Sequence, residues 1–274
     1  MLKFPYRIIF SDLDGTLLNP EHQLTLLTVR ALQAVKDAGI PFVMVSARMP
    51  EAILPIAQKA GITVPIISYS GALALKEDGT VLKSTVIPAD SAWKVLHQAA
   101  LRWPHAVPNY YSGHVWYVQN QKHPFVQNES RITQVLPAQQ NFFTLLRQGT
   151  LPHKLLYICS PADCAEMEEA LSGEYPELAV VRSSDILLEI MDASVNKAAG
   201  VKVLLNAYGL QEKDAVAFGD SYNDIPMLKA AGTGIAMGNA PEAVKAAADL
   251  VIGCNDKDGL AQFLNQNGLP FHGI

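Results

Sequence analysis

Short apolar runs alternate with longer segments in which apolar residues recur every three or four positions, and they do so in two separate portions of the chain. The first portion opens, after Arg7, with Ile8-Ile9-Phe10, an apolar run of the kind that buried parallel strands use. Leu26, Val29, Leu32 and Val35 then share near-helical spacing between Thr25 and Ala38, with Gly39 as the stop. Pro41 to Val45 predicts a second strand and Pro50 to Ala60 a second helix, in which Pro55 implies either a kink or a late start. Val64 to Tyr69 predicts a third strand. Strand, helix, strand, helix, strand with short connections is the βαβ signature, so the expected class is α/β, a doubly wound, mainly parallel, Rossmann-like sheet.

The rhythm then breaks. Ala72 to Ile87 reads as a hairpin turning at Asp78-Gly79. Beyond it, Ser91 to Leu101 and Asp163 to Leu171 read as helices, and Val107 to Val118, His153 to Cys159, Leu178 to Val181 and Asp185 to Met191 as strands. The alternation resumes after Asp192, with helices over Lys197 to Tyr208 and from near Pro226 to Gly232. Strands are expected at Ala215 to Phe218, Gly234 to Met237 and Asp249 to Ile252, with Asn239 capping a helix that begins near Pro241 and a last helix from Lys257. Residues 1–81 and 192–274 are therefore expected to form one core, interrupted by an inserted α+β domain over 82–191.

The polar residues that break this pattern fall where strands end. Asp12 and Asp14 follow the first strand one residue apart and point to the same side of an extended segment. Ser46 ends the second strand, and Asp220, Asn223 and Asp224 follow Ala215-Val216-Ala217-Phe218. A parallel sheet brings separate strand ends onto one rim, the place where open α/β sheets bind ligands. Each cluster alone is equally compatible with an ordinary turn. Together, several carboxylates on one rim repel unless a hard cation such as Mg²⁺ joins them. Lys197 opens a helix, where its ammonium and the backbone N–H groups would suit an anion, with Ser46 and Asn223 as neutral donors.

Composition narrows the classes. With 21 basic and 26 acidic residues the net charge is −5, and no basic block points to nucleic acid. No apolar stretch approaches a membrane span. Three cysteines without a zinc-ligand pattern, and no signal sequence, lead to the expectation of a reducing cytoplasm. Gly232, Gly234 and Gly238 lack the spacing of a dinucleotide fingerprint and read as turns.

Asp12-Leu13-Asp14-Gly15-Thr16, Ser46, Lys197 and Gly219-Asp220-Ser221-Tyr222-Asn223-Asp224 resemble, in this order, the four motifs of the haloacid dehalogenase superfamily. The position and size of the insertion resemble a type IIB cap, as in the Cof-type sugar-phosphatase-like hydrolases. The resemblance implies Asp12 as nucleophile, Asp14 as general acid and base, and Mg²⁺ on Asp12, Asp14 through its backbone carbonyl, and Asp220, with Asp224 as support or ligand. Phosphoryl oxygens would be held by Ser46, Lys197 and Asn223 and by backbone N–H groups near Leu13 and Ala47, with Arg48 reaching substrate or cap. The implied activity is Mg²⁺-dependent hydrolysis of a small phosphorylated metabolite, such as a sugar phosphate or phosphorylated cofactor. A phosphomutase or phosphotransferase, and a phospho-accepting signalling module, are the alternatives, with a metabolite-binding protein that kept the site without activity as a further one. Two positions depart from the family pattern: Ala47 stands where glycine is usual, and Ser70 where asparagine is common. Tyr110, Tyr111, His114, Trp116, Tyr117, His123 and Arg131 read either as pocket lining or as the core of the insertion.

Overall fold

The structure, a computed structural model, describes residues 4–271. From the amino end come β1 (Ile8–Asp12), α1 (Leu26–Asp37), β2 (Phe42–Val45), α2 (Pro50–Lys59), β3 (Ile66–Ser68), β4 (Leu73–Leu75) and β5 (Val81–Ser84). Next follow α3 (Ala89–Arg102), β6 (Val107–Ser112), β7 (Val115–Val118), α4 (Pro124–Thr133), β8 (Ala138–Gln139) and α5 (Phe142–Arg147). After these lie β9 (Lys154–Ile158), α6 (Pro161–Glu174), β10 (Leu178–Ser184) and β11 (Leu187–Asp192). The chain returns with α7 (Lys197–Ala207), β12 (Ala215–Gly219), α8 (Ile225–Ala230), β13 (Thr233–Ala236), α9 (Glu242–Ala247), β14 (Leu250–Val251) and α10 (Gly259–Gln266). No helix among the described residues is long and apolar enough to cross a membrane.

Two compact units result. One takes in Met1–Arg48, Ile53–Lys83 and Asn196–Ile274 within the described limits; the other takes in Met49–Ala52 and Ser84–Val195. The first is built on an eight-stranded sheet in the order β14-β13-β12-β1-β2-β3-β4-β5. The strands from β14 to β3 are parallel, and β4 turns antiparallel on β3. β1, β2 and β12 are buried along their whole length, which explains why they read as continuous apolar runs rather than alternating ones. Ile8, Phe10, Val43, Val45, Ala215 and Ala217 pack on one face against Val201, Leu204 and Leu205 of α7.

Local signals set most boundaries. Thr25 caps α1 by accepting from the Thr28 N–H, and Gly39 follows in the left-handed region at φ 69°. The helix buries Thr28, Ala31, Leu32 and Val35 while Leu26 is exposed, so its apolar side is rotated from the one that spacing predicts. α2 begins at Pro50 and runs through Pro55, so there is no late start. The turn at Asp78-Gly79 forms as expected: Lys76 N–H bonds to the Thr80 carbonyl, and the Asp78 carboxylate accepts from the Thr80 N–H at 2.8 Å. Asn239 does not cap the helix after it. α9 follows Pro241, which offers no side-chain acceptor, and the Asn239 side chain is used elsewhere.

The second unit holds a six-stranded sheet, β10-β11-β9-β6-β7-β8, antiparallel except for β7 on β8. Tyr110, Leu155, Tyr157, Leu188 and Ile190 share a core with residues of α3, α5 and α6. The aromatic stretch resolves largely as interior: Tyr110, Tyr111 and Trp116 are buried, and the Trp116 indole donates to buried Asn109 at 3.0 Å. His123 caps α4 by accepting from the Phe125 N–H, and Arg131 bonds to Asn128 on the same helix.

His153, at the start of β9, is buried in this unit. Its Nδ1 accepts from the Gly113 N–H at 3.0 Å, so the ring proton sits on Nε2 and is donated to the Ser84 hydroxyl at 3.0 Å. Burial, then the nearby His114, lowers its pKa to about 4. The unfolded chain, with an imidazole near 6.5, takes up a proton that the folded state refuses, so stability falls as pH drops through the window from about 6.5 to about 4. The linkage amounts to about 3 kcal/mol. Urea unfolding of wild type and His153→Asn between pH 7 and pH 4 should show the wild type losing about that much relative to the variant. Parallel pH profiles would contradict the buried neutral imidazole.

Candidate active site

β1 lies between β2, to which the chain goes next, and β12, to which it returns much later. The strand order therefore switches direction at β1, and the loops beyond its carboxyl end diverge and leave a crevice. Asp12 is the last residue of β1. The parallel registers Asp12↔Val45 and Ser11↔Phe218 place Ser46 and Asp220 each one residue beyond the level of Asp12 on its two neighbours. Acids far apart in sequence thus converge because the parallel strands β1 and β12 end together, with Ser46 brought alongside by β2.

Lys197 is the first residue of α7, whose start is fixed by Asn196 accepting from the Ala199 N–H. Its side chain is buried, and its ammonium donates to Asp12 Oδ1 at 2.5 Å and to Asp224 Oδ1 at 2.5 Å. Asp224 is fully buried, and its other oxygen accepts from the backbone N–H groups of Asp220 (3.0 Å) and Ser221 (2.8 Å). Asp224 therefore shapes the loop after β12 and aims the lysine. Asp220 Oδ1 accepts from the Thr16 hydroxyl at 2.7 Å. Gly15, at φ 84°, lies against the same carboxylate, and a Cβ there would sit 2.2 Å from Asp220 Oδ2. No residue but glycine fits that approach.

Asp12, Asp220 and Asp224 each present an oxygen within 4.8 Å of the others. Burial raises the pKa of Asp12, with Asp224 and Asp220 adding to the rise and Lys197 opposing it. Asp220 is raised to about 6, by burial first and by Asp224 against the Thr16 hydrogen bond. Burial alone would lower the Lys197 ammonium, yet Asp12 and Asp224 outweigh it and hold it above its ordinary value. The contact between Lys197 and Asp12 is that of an ion pair, while the push on Asp12 is upward. Both follow from one cause: a single lysine neutralises one of the three carboxylates, and the remaining negative charge is uncompensated. Acceptor-only oxygen donors with that excess charge fit a hard divalent cation.

The Asp14 carboxylate stands apart from this cluster. Oδ2 accepts from Arg48 Nε at 2.8 Å, and Oδ1 accepts from Arg48 Nη2 at 2.5 Å and lies 2.8 Å from His22 Nδ1. Arg48, expected near substrate, is thus engaged as a two-pronged partner of Asp14. His22 sits in the left-handed region at φ 56°. Its role was not legible in the sequence, since nothing local links it to Asp14. Ser46 is buried, and its hydroxyl accepts from the Arg48 N–H at 3.1 Å. The Leu13 carbonyl gathers the N–H groups of Thr16, Leu17 and Leu18, which makes the turn after Asp12 compact. Ala47 is half-buried beside Ser46, and Asn223 is exposed on the loop before Asp224. Ser70 takes φ 53° and donates its N–H to the Ser46 carbonyl, while Ser68 and Tyr69 bond to the Arg48 carbonyl. The third strand's end thereby supports the second strand's loop.

Residues 9–264 match the haloacid dehalogenase-like hydrolase family. The chain is 31% identical over 270 residues to a pyridoxal phosphate phosphatase of Escherichia coli, covering 94% of this chain and 97% of that one. It is 28% identical over 270 residues to a 5-amino-6-(5-phospho-D-ribitylamino)uracil phosphatase of Bacillus subtilis, covering 96% and 97%. Among solved structures, a haloacid dehalogenase-like hydrolase from Bacteroides thetaiotaomicron superposes with a TM-score of 0.86 at 31% identity, covering 95% of this chain and 99% of that one. A Thermotoga maritima protein gives 0.87 at 27% identity, with 95% and 97% covered. The chain belongs to the haloacid dehalogenase-like hydrolases. Within that family it is of the Cof type, and its named relatives are phosphatases.

If the excess charge at Asp12, Asp220 and Asp224 is what a cation relieves, Mg²⁺ will stabilise the fold. Thermal unfolding of wild type should shift upward with Mg²⁺, by the equivalent of about 3 kcal/mol at a hundredfold excess over the dissociation constant. Asp220→Asn should abolish the shift. An equal shift in the variant would place the cation elsewhere.

Proposed function

We propose that this chain is a Mg²⁺-dependent phosphatase of small phosphorylated metabolites, sugar phosphates or phosphorylated cofactors, working in the cytoplasm through an aspartyl-phosphate on Asp12. The single observation that carries the reading is the cluster of buried Asp12 and Asp224 and half-buried Asp220 around Lys197 at the carboxyl end of β1. The two relatives named above supply the substrate class: each is named for a small phosphorylated compound.

In this reading an Asp12 oxygen attacks phosphorus in line, and the bond from phosphorus to the ester oxygen breaks. The leaving oxygen takes the proton of the Asp14 carboxyl group. Asp14, now ionised, removes a proton from a water whose oxygen attacks the phosphorus, releasing inorganic phosphate and restoring Asp12. In the described arrangement both Asp14 oxygens are held by Arg48 and His22, so Asp14 has to turn away from them to reach the leaving group. Lys197, Ser46 and Asn223, with N–H groups near Leu13 and Ala47, hold the non-bridging oxygens of the phosphoryl group. A divalent ion held by Asp12, Asp220 and the Asp14 backbone carbonyl, with Asp224 in support, would neutralise the charge that two anions bring together. Residues 82–191, inserted in sequence between the two parts of the core at 1–81 and 192–274, would form the cap domain that selects the leaving group.

Asp12→Asn should lower turnover of an aryl phosphate by about a thousandfold or more, as loss of a nucleophile does, with the fold unchanged. Inorganic phosphate should appear with no added acceptor alcohol, and a chelator should stop its release until Mg²⁺ is restored. Wild-type turnover by Asp12→Asn would refute the nucleophile. Dependence on a sugar acceptor would convert the assignment to a phosphotransferase.

A further inference from the structure

Between the end of β1 at Asp12 and the start of α1 at Leu26 the chain has no regular element, yet this stretch carries Asp14, Gly15 and Thr16. What braces it is the returning end of the first unit. The Asn239 side-chain amide donates to the Gly15 carbonyl at 2.8 Å, and its oxygen accepts from the Asn255 N–H at 3.1 Å. The Asn255 side-chain amide in turn donates to the Leu18 carbonyl at 2.8 Å. Further out, the Asp258 carboxylate accepts from the hydroxyls of Thr25, the N-cap of α1, and of Thr28 in its first turn.

The two turns that supply these groups are built for one another. A Cβ on Gly238 would lie 2.8 Å from Cys254 Sγ, and one on Gly259 would lie 2.1 Å from the Gly253 carbonyl oxygen. Asp258 itself is held at φ 56°. On the receiving side, the Gly15–Thr16 peptide is gripped at both ends: its carbonyl by Asn239, its N–H by the Leu13 carbonyl at 3.3 Å. The residue that this peptide leads into places its hydroxyl on Asp220, and the residue before it is Asp14.

We infer that Asn239 and Asn255 are positioning residues that hold the Asp14–Thr16 segment in register with Asp220. The inference rests on the reading of Asp14 as the acid and base of a phosphatase. Neither asparagine is among the groups assigned to the phosphoryl oxygens, which come from Leu13, Ser46, Ala47, Lys197 and Asn223. Loosening the brace therefore weakens proton transfer in the transition state more than ground-state binding of the phosphate, provided Mg²⁺ is kept saturating, since the Asp14 carbonyl assigned to the ion lies in the same segment. Asn239→Asp is the informative substitution. It keeps the shape and the acceptor for the Asn255 N–H, but sets a carboxylate oxygen against the Gly15 carbonyl where a donor stood.

The test pairs kinetics on p-nitrophenyl phosphate with amide hydrogen exchange, for Asn239→Asp, Asn239→Ala and Asn255→Ala. Each variant should lower kcat about tenfold or more with KM changed less than about twofold, as a misplaced catalytic group does. The amides of Thr16, Leu17 and Leu18 should exchange faster, while those of β1 and β12 stay protected. Wild-type kcat in Asn239→Asp, or a loss of turnover matched by a rise in KM or by lower unfolding temperature, would overturn the inference. Should the wild type release no phosphate at all, the functional reading fails by itself. Exchange then decides the brace, and unchanged protection at Thr16 to Leu18 overturns it.

Discussion

Three carboxylates against one ammonium is the constraint on which the rest of the first unit depends. Asp12, Asp220 and Asp224 approach within 4.8 Å, and among the described residues Lys197, itself buried, is the one cation paired with them. Such a concentration of like charge out of water is costly unless each group is held by specific partners. The fold supplies those partners one by one: two backbone N–H groups and the lysine on Asp224, the Thr16 hydroxyl on Asp220, the lysine on Asp12. The remaining negative charge is an attraction for a cation, and behind the cation for a phosphate that could not otherwise approach a carboxylate.

The same constraint accounts for how the loops are built. Gly15 is there because the Asp220 carboxylate occupies the space of a side chain, and Gly219 because a Cβ would meet Asp224 Cβ at 2.5 Å. Asp14 is kept out of the cluster by Arg48 and His22, which spares the site a fourth close carboxylate. Positions 68–70 support the Ser46–Arg48 loop, so the strand ends brace one another across the rim. A rigid parallel sheet is what lets single hydrogen bonds of this kind hold functional groups in place.

The sequence was most legible where burial is complete on both faces. The runs at Ile8–Asp12, Phe42–Val45 and Ala215–Gly219 are buried throughout, so apolar composition alone marked them and the acids after them marked the rim. Where only a thin stripe is buried, the signal faded. α4 buries Val126 alone among its residues, and no apolar period predicts it. Leu26 looked like part of α1's apolar side and is exposed, because the helix packs through the smaller Thr28 and Ala31 instead. Side-chain bonds across the chain were least legible. Asn239 has the local look of a helix cap, yet its amide serves Gly15, more than two hundred residues earlier. His22, in a turn with nothing to mark it, takes a left-handed backbone conformation and meets Asp14 through its side chain.

The most direct measurement is an anomalous difference map from crystals grown with Mn²⁺ in place of Mg²⁺. One strong peak is expected, within bonding distance of a carboxylate oxygen of Asp12 and one of Asp220. A map with no peak among these carboxylates, or with Asp12 and Asp220 turned toward different ions, would contradict it.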